Sequence, residues 1–246
     1  MKNNIKDIII RKKVVGYLVV LFLVVIMSYN DTKISEFIAS ISNQGGIFEE
    51  IVVVIDPGHG GVDPGKVGVH QELEKDINLE ISLLLREKLK QKGVKVLMTR
   101  DEDVGLYSEG DINKKMADLK SRIRIIDESS CMLAVSIHQN SYSKQEVCGP
   151  QVFYYDKSEN GRLASEYLQG ALNREVDSKR EIKANDSYYL LKRSQSTVVI
   201  VECGFLSNEK EANNLTKEEY QEQVAENICE GIVLYLNSVI ESKENY

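Results

Sequence analysis

The sequence predicts an α/β fold: a single three-layer domain in which a sheet of about six strands, mostly parallel or mixed, is covered by helices on both faces. Two observations carry this prediction. Apolar runs of five to seven residues alternate along the chain with longer stretches of helical periodicity. Several of these runs are apolar at consecutive positions, which indicates strands that are buried on both faces of a sheet.

Six apolar runs are predicted to form the strands. They are residues 51–56 (IVVVID), 94–99 (VKVLMT), 131–137 (CMLAVSI), 151–155 (QVFYY), 187–191 (SYYLL) and 197–203 (TVVIVEC). The first run leads directly into a glycine-rich turn, and strands typically end in such turns. The order of these runs, interleaved with helices, is typical of an α/β sheet.

Four stretches are predicted to be helices because their apolar residues recur every three or four positions. Three of them cover residues 74–91, 112–128 and 161–176. The fourth is predicted to begin at Thr216, where Glu219 three residues later would complete a capping box.

The first thirty residues differ from the rest of the chain. A basic segment precedes an uninterrupted apolar run at residues 14–27, which has the length of a signal-peptide core. No small-residue cleavage site follows closely, so we expect residues 1–30 to be an uncleaved signal anchor, with a cleaved signal peptide as the alternative. The positive flank predicts that the rest of the chain is exported, either anchored to the outer face of the cytoplasmic membrane or secreted.

Residues 31–49 are polar and weakly patterned, which is typical of a linker, so residues 50–246 are predicted to form the catalytic domain. Residues 1–30 carry five of the 31 Lys and Arg residues and one of the 38 Asp and Glu residues, which leaves 26 basic and 37 acidic side chains in the remainder. A chain with a net charge of −11 lacks the positive surface that nucleic-acid binding requires.

The glycine-rich turn contains a histidine and allows two interpretations. Gly60, Gly65 and Lys66 have the spacing of a phosphate-binding P-loop, but Val67 replaces the serine or threonine that would bind magnesium. Pro64 also removes a backbone donor from the loop. A metal-ligand turn is therefore favoured over a phosphate-binding loop.

The cysteines do not supply metal ligands in a recognisable pattern. Cys131, Cys148, Cys203 and Cys229 include no C-x-x-C pair, which excludes a cysteine zinc knuckle. Their irregular spacing in a chain of this size also argues against a disulfide framework. Cys131, Cys203 and Cys229 lie within apolar or helical patterns and are expected to be buried free thiols.

Polar residues stand where the predicted strands end. His138 follows one apolar run, Glu202 closes another, and His59 comes shortly after the first. The carboxyl ends of strands in an open α/β sheet form the usual crevice for a site, so these side chains are expected to converge. Glu74, at the start of the first helix, would point to the same edge. His70 is expected to be a solvent-facing loop residue.

Each of these residues also has an ordinary structural explanation. Glu74 would be stabilised by the helix dipole alone, and either histidine could simply complete a turn or a strand. Glu202 is harder to explain, because an ionised carboxylate in an apolar strand needs a cation, a metal ion or a raised pKa. Two histidines and a glutamate with an open fourth position form a catalytic zinc site, and a second glutamate can take a proton from the zinc-bound water.

The segments IDPGHGGVDPGKVG, LEKDINLEIS, SIHQNS and VIVECGFLSN resemble the zinc-dependent N-acetylmuramoyl-L-alanine amidases of the type-3 amidase family. The resemblance extends from about residue 52 to about residue 236, and the short single-domain layout is most similar to the germination-specific branch. It implies one Zn²⁺ per chain bound by His59, Glu74 and His138, with Glu202 as the catalytic acid/base. Ser196 and Thr197 stand where the family often has a proline.

The resemblance implies hydrolysis of the amide between the lactyl group of N-acetylmuramic acid and L-alanine in peptidoglycan, in spore-cortex maturation, where stripped muramic acid becomes a lactam. Another zinc peptidase of the cell wall, such as a carboxypeptidase, would use the same ligands. A wall-binding module with structural zinc is a further alternative, but a closed structural site needs no base such as Glu202. The sequence specifies neither an accessory protein nor homodimer formation.

Overall fold

The computed structural model describes residue 48 and residues 50–174 and 180–244. The anchor predicted at residues 1–30 lies outside the described residues, as does the linker predicted at 31–49 except for Phe48, which is buried in the core. These two predictions therefore stay predictions. Among the described residues, no helix has the length and apolar content that crossing a membrane requires.

The described residues contain one sheet of six strands. They are β1 (Val52–Pro57), β2 (Lys95–Met98), β3 (Leu133–Asn140), β4 (Gln151–Tyr154), β5 (Lys183–Ala184) and β6 (Val198–Phe205). The strand order is β2-β1-β3-β6-β4-β5. All neighbours run parallel except β4 and β6, which are antiparallel, so the sheet is mixed as predicted.

Helices cover both faces of this sheet. They are α1 (Glu74–Gln91), α2 (Lys114–Glu128), α3 (Glu159–Leu172), α4 (Tyr189–Arg193), α5 (Glu209–Leu215) and α6 (Glu218–Glu244). Successive residues of a strand point to opposite faces. On β1, Val53 and Ile55 pack in the core formed with α1, α3 and α6, whereas Val54 packs in the core formed with α2 and α4. The predicted three-layer α/β fold is confirmed.

The strand predicted at residues 187–191 is wrong, because Tyr189–Arg193 forms helix α4. Oδ1 of Asn185 accepts hydrogen bonds from the backbone N–H groups of Ser187 and Tyr188, and this turn leads the chain into the helix. A run of only five residues spans too few turns for its periodicity to distinguish a strand from a buried helix. The edge strand is instead the two-residue β5.

The capping box predicted at Thr216 is also wrong. Helix α6 begins at Glu218, and the unpredicted helix α5 ends just before Thr216. The Thr216 hydroxyl donates to the backbone oxygen of Asn213, because a threonine after a helix can bond back to the preceding turn. The other predicted helices agree with the structure apart from their ends, and residues 175 and 176 of the helix predicted at 161–176 lie outside the described residues.

Candidate active site

The turn after β1 carries His59 in a left-handed conformation, with a φ of 61°. This conformation costs a residue with a side chain about 1 kcal/mol. Two arginines hold the surrounding backbone: Nη2 of Arg122 donates to the His59 carbonyl at 2.6 Å, and Nη2 of Arg100 donates to the Gly58 carbonyl at 3.0 Å. Their hydrogen bonds oppose relaxation of the turn and keep the His59 backbone at the carboxyl end of β1.

A buried ion pair lies beneath this turn. Arg122 and Asp56 are 2% and 1% exposed, and Nη1 of Arg122 donates to Oδ1 of Asp56 at 2.6 Å. Burial raises the pKa of Asp56, but Arg122 and the hydroxyls of Ser136 and Thr99 outweigh it and hold that pKa below its usual range. Nε of Arg122 also donates to Asp118. The side-chain nitrogens of Arg122 and the carboxylate oxygens of Asp56 therefore all have hydrogen-bond partners. Such hydrogen bonds offset the cost of burying the two charges.

Glu74 joins the two histidines at the start of α1. Its Oε2 lies 3.3 Å from Nε2 of His59, and its Oε1 lies 3.0 Å from Nδ1 of His138. The backbone N–H groups of Lys66 and Gln139 donate to the same two oxygens. Burial raises the pKa of Glu74, but the hydrogen bonds from His138 and His59 outweigh burial and hold that pKa well below its usual range. Glu74 is therefore an ionised carboxylate aimed between two imidazoles.

Two glycines leave the space that these side chains occupy. A Cβ atom on Gly58 would lie 2.2 Å from Cε1 of His138, and a Cβ atom on Gly65 would lie 2.5 Å from Oε2 of Glu74. Both distances are far below van der Waals contact, so any larger residue would displace the side chain above it. Gly58 and Gly65 are thus required by the close approach of the backbone to His138 and Glu74.

The three side chains have the chemistry of a metal site. One nitrogen of His59, one nitrogen of His138 and one carboxylate oxygen of Glu74 lie within 4.8 Å of one another. Two imidazoles and one carboxylate are the donor set of a catalytic zinc site with an open position. The residues present therefore fit a metal ion such as zinc.

Glu202 lies beside this donor set. It is the register partner of His138 on the neighbouring strand and is 8% exposed. Its Oε2 is buried and accepts no hydrogen bond from any described residue. Burial, the largest effect, together with the charge of Glu74 raises the pKa of Glu202 to about 7, against opposing effects from His138 and His59. A carboxyl group with this pKa can exchange a proton near neutral pH.

A cavity of about 470 Å³ opens over the four side chains. Lys66 and Lys115 contribute to its rim, and Tyr188 and Tyr189 from the start of α4 form part of its wall. Burial and the nearby charges of Glu202 and Glu74 raise the pKa of Tyr188, which keeps its phenol neutral. Pockets of this size accommodate a small ligand or a segment of a longer one.

The structure brings together the four residues that the sequence singled out, His59, Glu74, His138 and Glu202, at one edge of the sheet. His70 is exposed and lies in a separate groove with Asn208, outside this cavity.

The four cysteines do not line this cavity. Cys203 and Cys229 are buried free thiols as predicted, whereas Cys131 is only half-buried because it precedes β3. Burial raises the pKa of the Cys203 thiol. A buried thiol with a raised pKa is a structural rather than a reactive group.

Sequence reasoning missed the supporting residues Arg122 and Asp63. Arg122 had a detectable signal, because it falls on the apolar stripe of α2 between Leu119 and Ile126, where a charged residue needs a buried partner. Asp63 lies four positions after His59 in an irregular turn, and no periodic pattern connects the two.

Comparison with known proteins decides the family. The family model for N-acetylmuramoyl-L-alanine amidases matches residues 53–233, which include all four side chains of the site. The chain belongs to this amidase family. It is 38% identical over 188 residues to the germination-specific N-acetylmuramoyl-L-alanine amidase of Bacillus subtilis (strain 168), a match that covers 75% of this chain and 79% of that relative.

Solved amidase structures have the same fold. The CwlD amidase of Clostridioides difficile, solved in complex with the GerS lipoprotein, is 41% identical with a TM-score of 0.74, and the match covers 77% of this chain and 100% of that one. The amidase AmiC2 of Nostoc punctiforme is 33% identical with a TM-score of 0.66, covering 76% and 97%. The sheet and helices that position the candidate site are therefore shared with solved members of the amidase family.

Proposed function

We propose that this amidase hydrolyses the amide between the lactyl group of N-acetylmuramic acid and L-alanine in peptidoglycan, with one Zn²⁺ held by His59, Glu74 and His138 and with Glu202 as the acid/base. The observation that carries the proposal is the buried Oε2 of Glu202, which has no hydrogen-bond partner among the described residues and lies beside a donor set with an open position. The name of the matching family supplies the bond that is cleaved.

The two glutamates of the site have different roles in the proposed reaction. Zinc, when bound, would polarise the amide carbonyl and acidify a water molecule. Glu202 accepts the proton of that water and returns it to the departing amine, a role that suits its pKa of about 7. Glu74, fully bonded and ionised, supplies negative charge to the metal rather than a mobile proton.

Mass spectrometry of peptidoglycan fragments tests this proposal. Full-length, zinc-loaded protein incubated with purified peptidoglycan is expected to release intact stem peptides that begin with a free L-alanine amino group. Release of single D-alanine residues would indicate a carboxypeptidase instead. No release under conditions where zinc is bound would favour a wall-binding module. The protein treated with chelator and the His138→Ala variant are the controls.

We further propose that the enzyme acts in spore-cortex maturation from the outer face of the cytoplasmic membrane, anchored by residues 1–30. Support comes from its similarity to the germination-specific amidase of Bacillus subtilis and from the apolar run behind a basic flank. The anchored protein should be recovered with membranes, and external protease should degrade residues 50–246. A mature amino terminus located after Met27 would contradict the anchor.

A further inference from the structure

We propose that Asp63 is a positioning residue that fixes the tautomer of His59 and so presents Nε2 of His59 to the metal. This inference rests on the metal site of the proposed function but is independent of which bond the enzyme cleaves. Asp63 lies in the turn between β1 and α1.

The carboxylate of Asp63 contacts the nitrogen of His59 that faces away from the other ligands. Its Oδ2 lies 2.9 Å from Nδ1 of His59, while Nε2 of the same ring lies 3.3 Å from Oε2 of Glu74. The other oxygen of Asp63 accepts a hydrogen bond from the backbone N–H of Gly65 at 3.1 Å. Both ring nitrogens of His59 therefore face a carboxylate, Asp63 at Nδ1 and Glu74 at Nε2. An ionised carboxylate can only accept hydrogen bonds, so when Nε2 gives its lone pair to a metal ion, the remaining ring proton lies on Nδ1, where Asp63 accepts it.

The backbone holds Asp63 in this position. The N–H of Gly60 donates to the carbonyl of Asp63 at 3.1 Å, and the N–H of Asp63 donates to the carbonyl of Gly60 at 3.2 Å. The turn is therefore closed twice, once by the main chain and once by the His59–Asp63 contact. Because both ends of the contact are fixed, the imidazole is oriented before a metal ion arrives.

The second histidine is oriented in a different way. His138 presents Nδ1 to Glu74, and in the described part of the chain no carboxylate bonds to its other nitrogen. Its ring is confined by packing over Gly58. The carboxylate–histidine arrangement thus applies to His59, and loss of Asp63 should weaken the metal site through that ring.

Metal affinity of Asp63→Asn tests the inference. An asparagine side chain has one acceptor oxygen and cannot serve both His59 and Gly65, so either the tautomer changes or the side chain turns away. In the full-length protein, zinc titration against a chromogenic chelator should show affinity about 10- to 100-fold weaker than wild type, the usual effect of losing such a partner. An unchanged affinity would overturn the inference.

Asp103→Asn is the matched control. Asp103 also uses both carboxylate oxygens to hold this turn, accepting from the N–H of Gly61 at 2.8 Å and from Nζ of Lys75 at 2.6 Å, but it does not contact the His59 ring. The zinc affinity of Asp103→Asn should stay within about threefold of wild type, because the Asp103 side chain contacts none of the proposed metal ligands. If Asp103→Asn loses as much affinity as Asp63→Asn, the effect is general loosening of the turn and the inference is wrong.

A second measurement needs no variant and so does not depend on whether Asp63→Asn folds. In ¹⁵N NMR spectra of the zinc-loaded wild type, Nδ1 of His59 should carry a proton and Nε2 should be the metal-bound nitrogen. Zinc bound at Nδ1 of His59 would overturn the inference. Wild-type protein that takes up no zinc would overturn it together with the proposed metal site, whereas cleavage of a different bond by zinc-loaded protein would contradict only the proposed function.

Discussion

His138 and Glu202 are register partners on the neighbouring parallel strands β3 and β6. Adjacent strands lie about 4.8 Å apart, so the candidate ligand and the buried carboxylate stand side by side on one face of the sheet. The register shifts immediately afterwards, and Asn140 pairs with Phe205, which inserts an extra residue into β6. Bulges of this kind occur next to active sites and redirect the side chains that follow. The pairing explains why Glu202 can act on whatever His138 helps to bind.

Glu202→Gln is expected to change how the stability of the metal-free protein depends on pH. The pKa of Glu202 is raised from 4.5 to about 7, so the folded state keeps a proton that the unfolded chain releases between these values. The contribution of Glu202 to the free energy of unfolding therefore falls as the pH rises through this window, by about 3 kcal/mol at about 1.4 kcal/mol per pKa unit. Glutamine has no proton to release, so the variant should lack this decline.

Urea unfolding of chelator-treated protein, measured from about pH 4 to about pH 8, gives the required free energies. The stability of Glu202→Gln relative to wild type should increase with pH across the window. Any fixed penalty for burying the amide is the same at every pH and cancels from the comparison. A difference that does not change with pH would show that Glu202 is not protonated in the folded state at neutral pH.

Gly58→Ala is expected to weaken zinc binding because its new Cβ atom would lie 2.2 Å from Cε1 of His138. Such overpacking typically costs about 1–3 kcal/mol, and here the displaced group is a metal ligand. Gly170→Ala is the control: beyond its own stretch of α3, its added Cβ meets no described atom within 4 Å, and the change should stabilise the fold slightly. Equal zinc affinities for the two variants would contradict the close-packed arrangement of Gly58 and His138.

Arg122→Met is expected to destabilise the protein by about 3–5 kcal/mol, because it leaves the carboxylate of Asp56 buried without its charged partner. Arg162→Met provides a contrast. Arg162 also pairs with an acidic residue one helical turn away, Glu166, but its side chain is 46% exposed, whereas that of Arg122 is 2% exposed. The control should unfold at an unchanged denaturant concentration. Similar losses in both variants would show that burial does not determine the contribution of the pair.

Much of this fold could be predicted from the sequence because the strongest patterns are long. The β-branched strands β1 and β6 and the periodic helix α1 were placed correctly, and the site followed from polar residues at strand ends. Helix α4 was predicted as a strand because its apolar run is short. The helix begins after a turn held by the side chain of Asn185, and the apolar pattern does not reveal that turn. The position of Arg122 on the apolar stripe of α2 indicates that it is buried, but the stripe does not identify its partners, which are distant in sequence. The contact of Asp63 could not be predicted, because an irregular turn leaves no periodic signal.

The turnover of zinc-loaded Glu202→Gln on peptidoglycan tests the central claim most directly. Glutamine keeps the size of the side chain, and the proposed ligands His59, Glu74 and His138 are unchanged, so the variant should bind zinc as the wild type does. Its turnover should fall by about a hundredfold or more, since it has lost a positioned acid/base. Turnover close to that of the wild type, at full zinc occupancy, would contradict the role of Glu202 as the group that moves the proton.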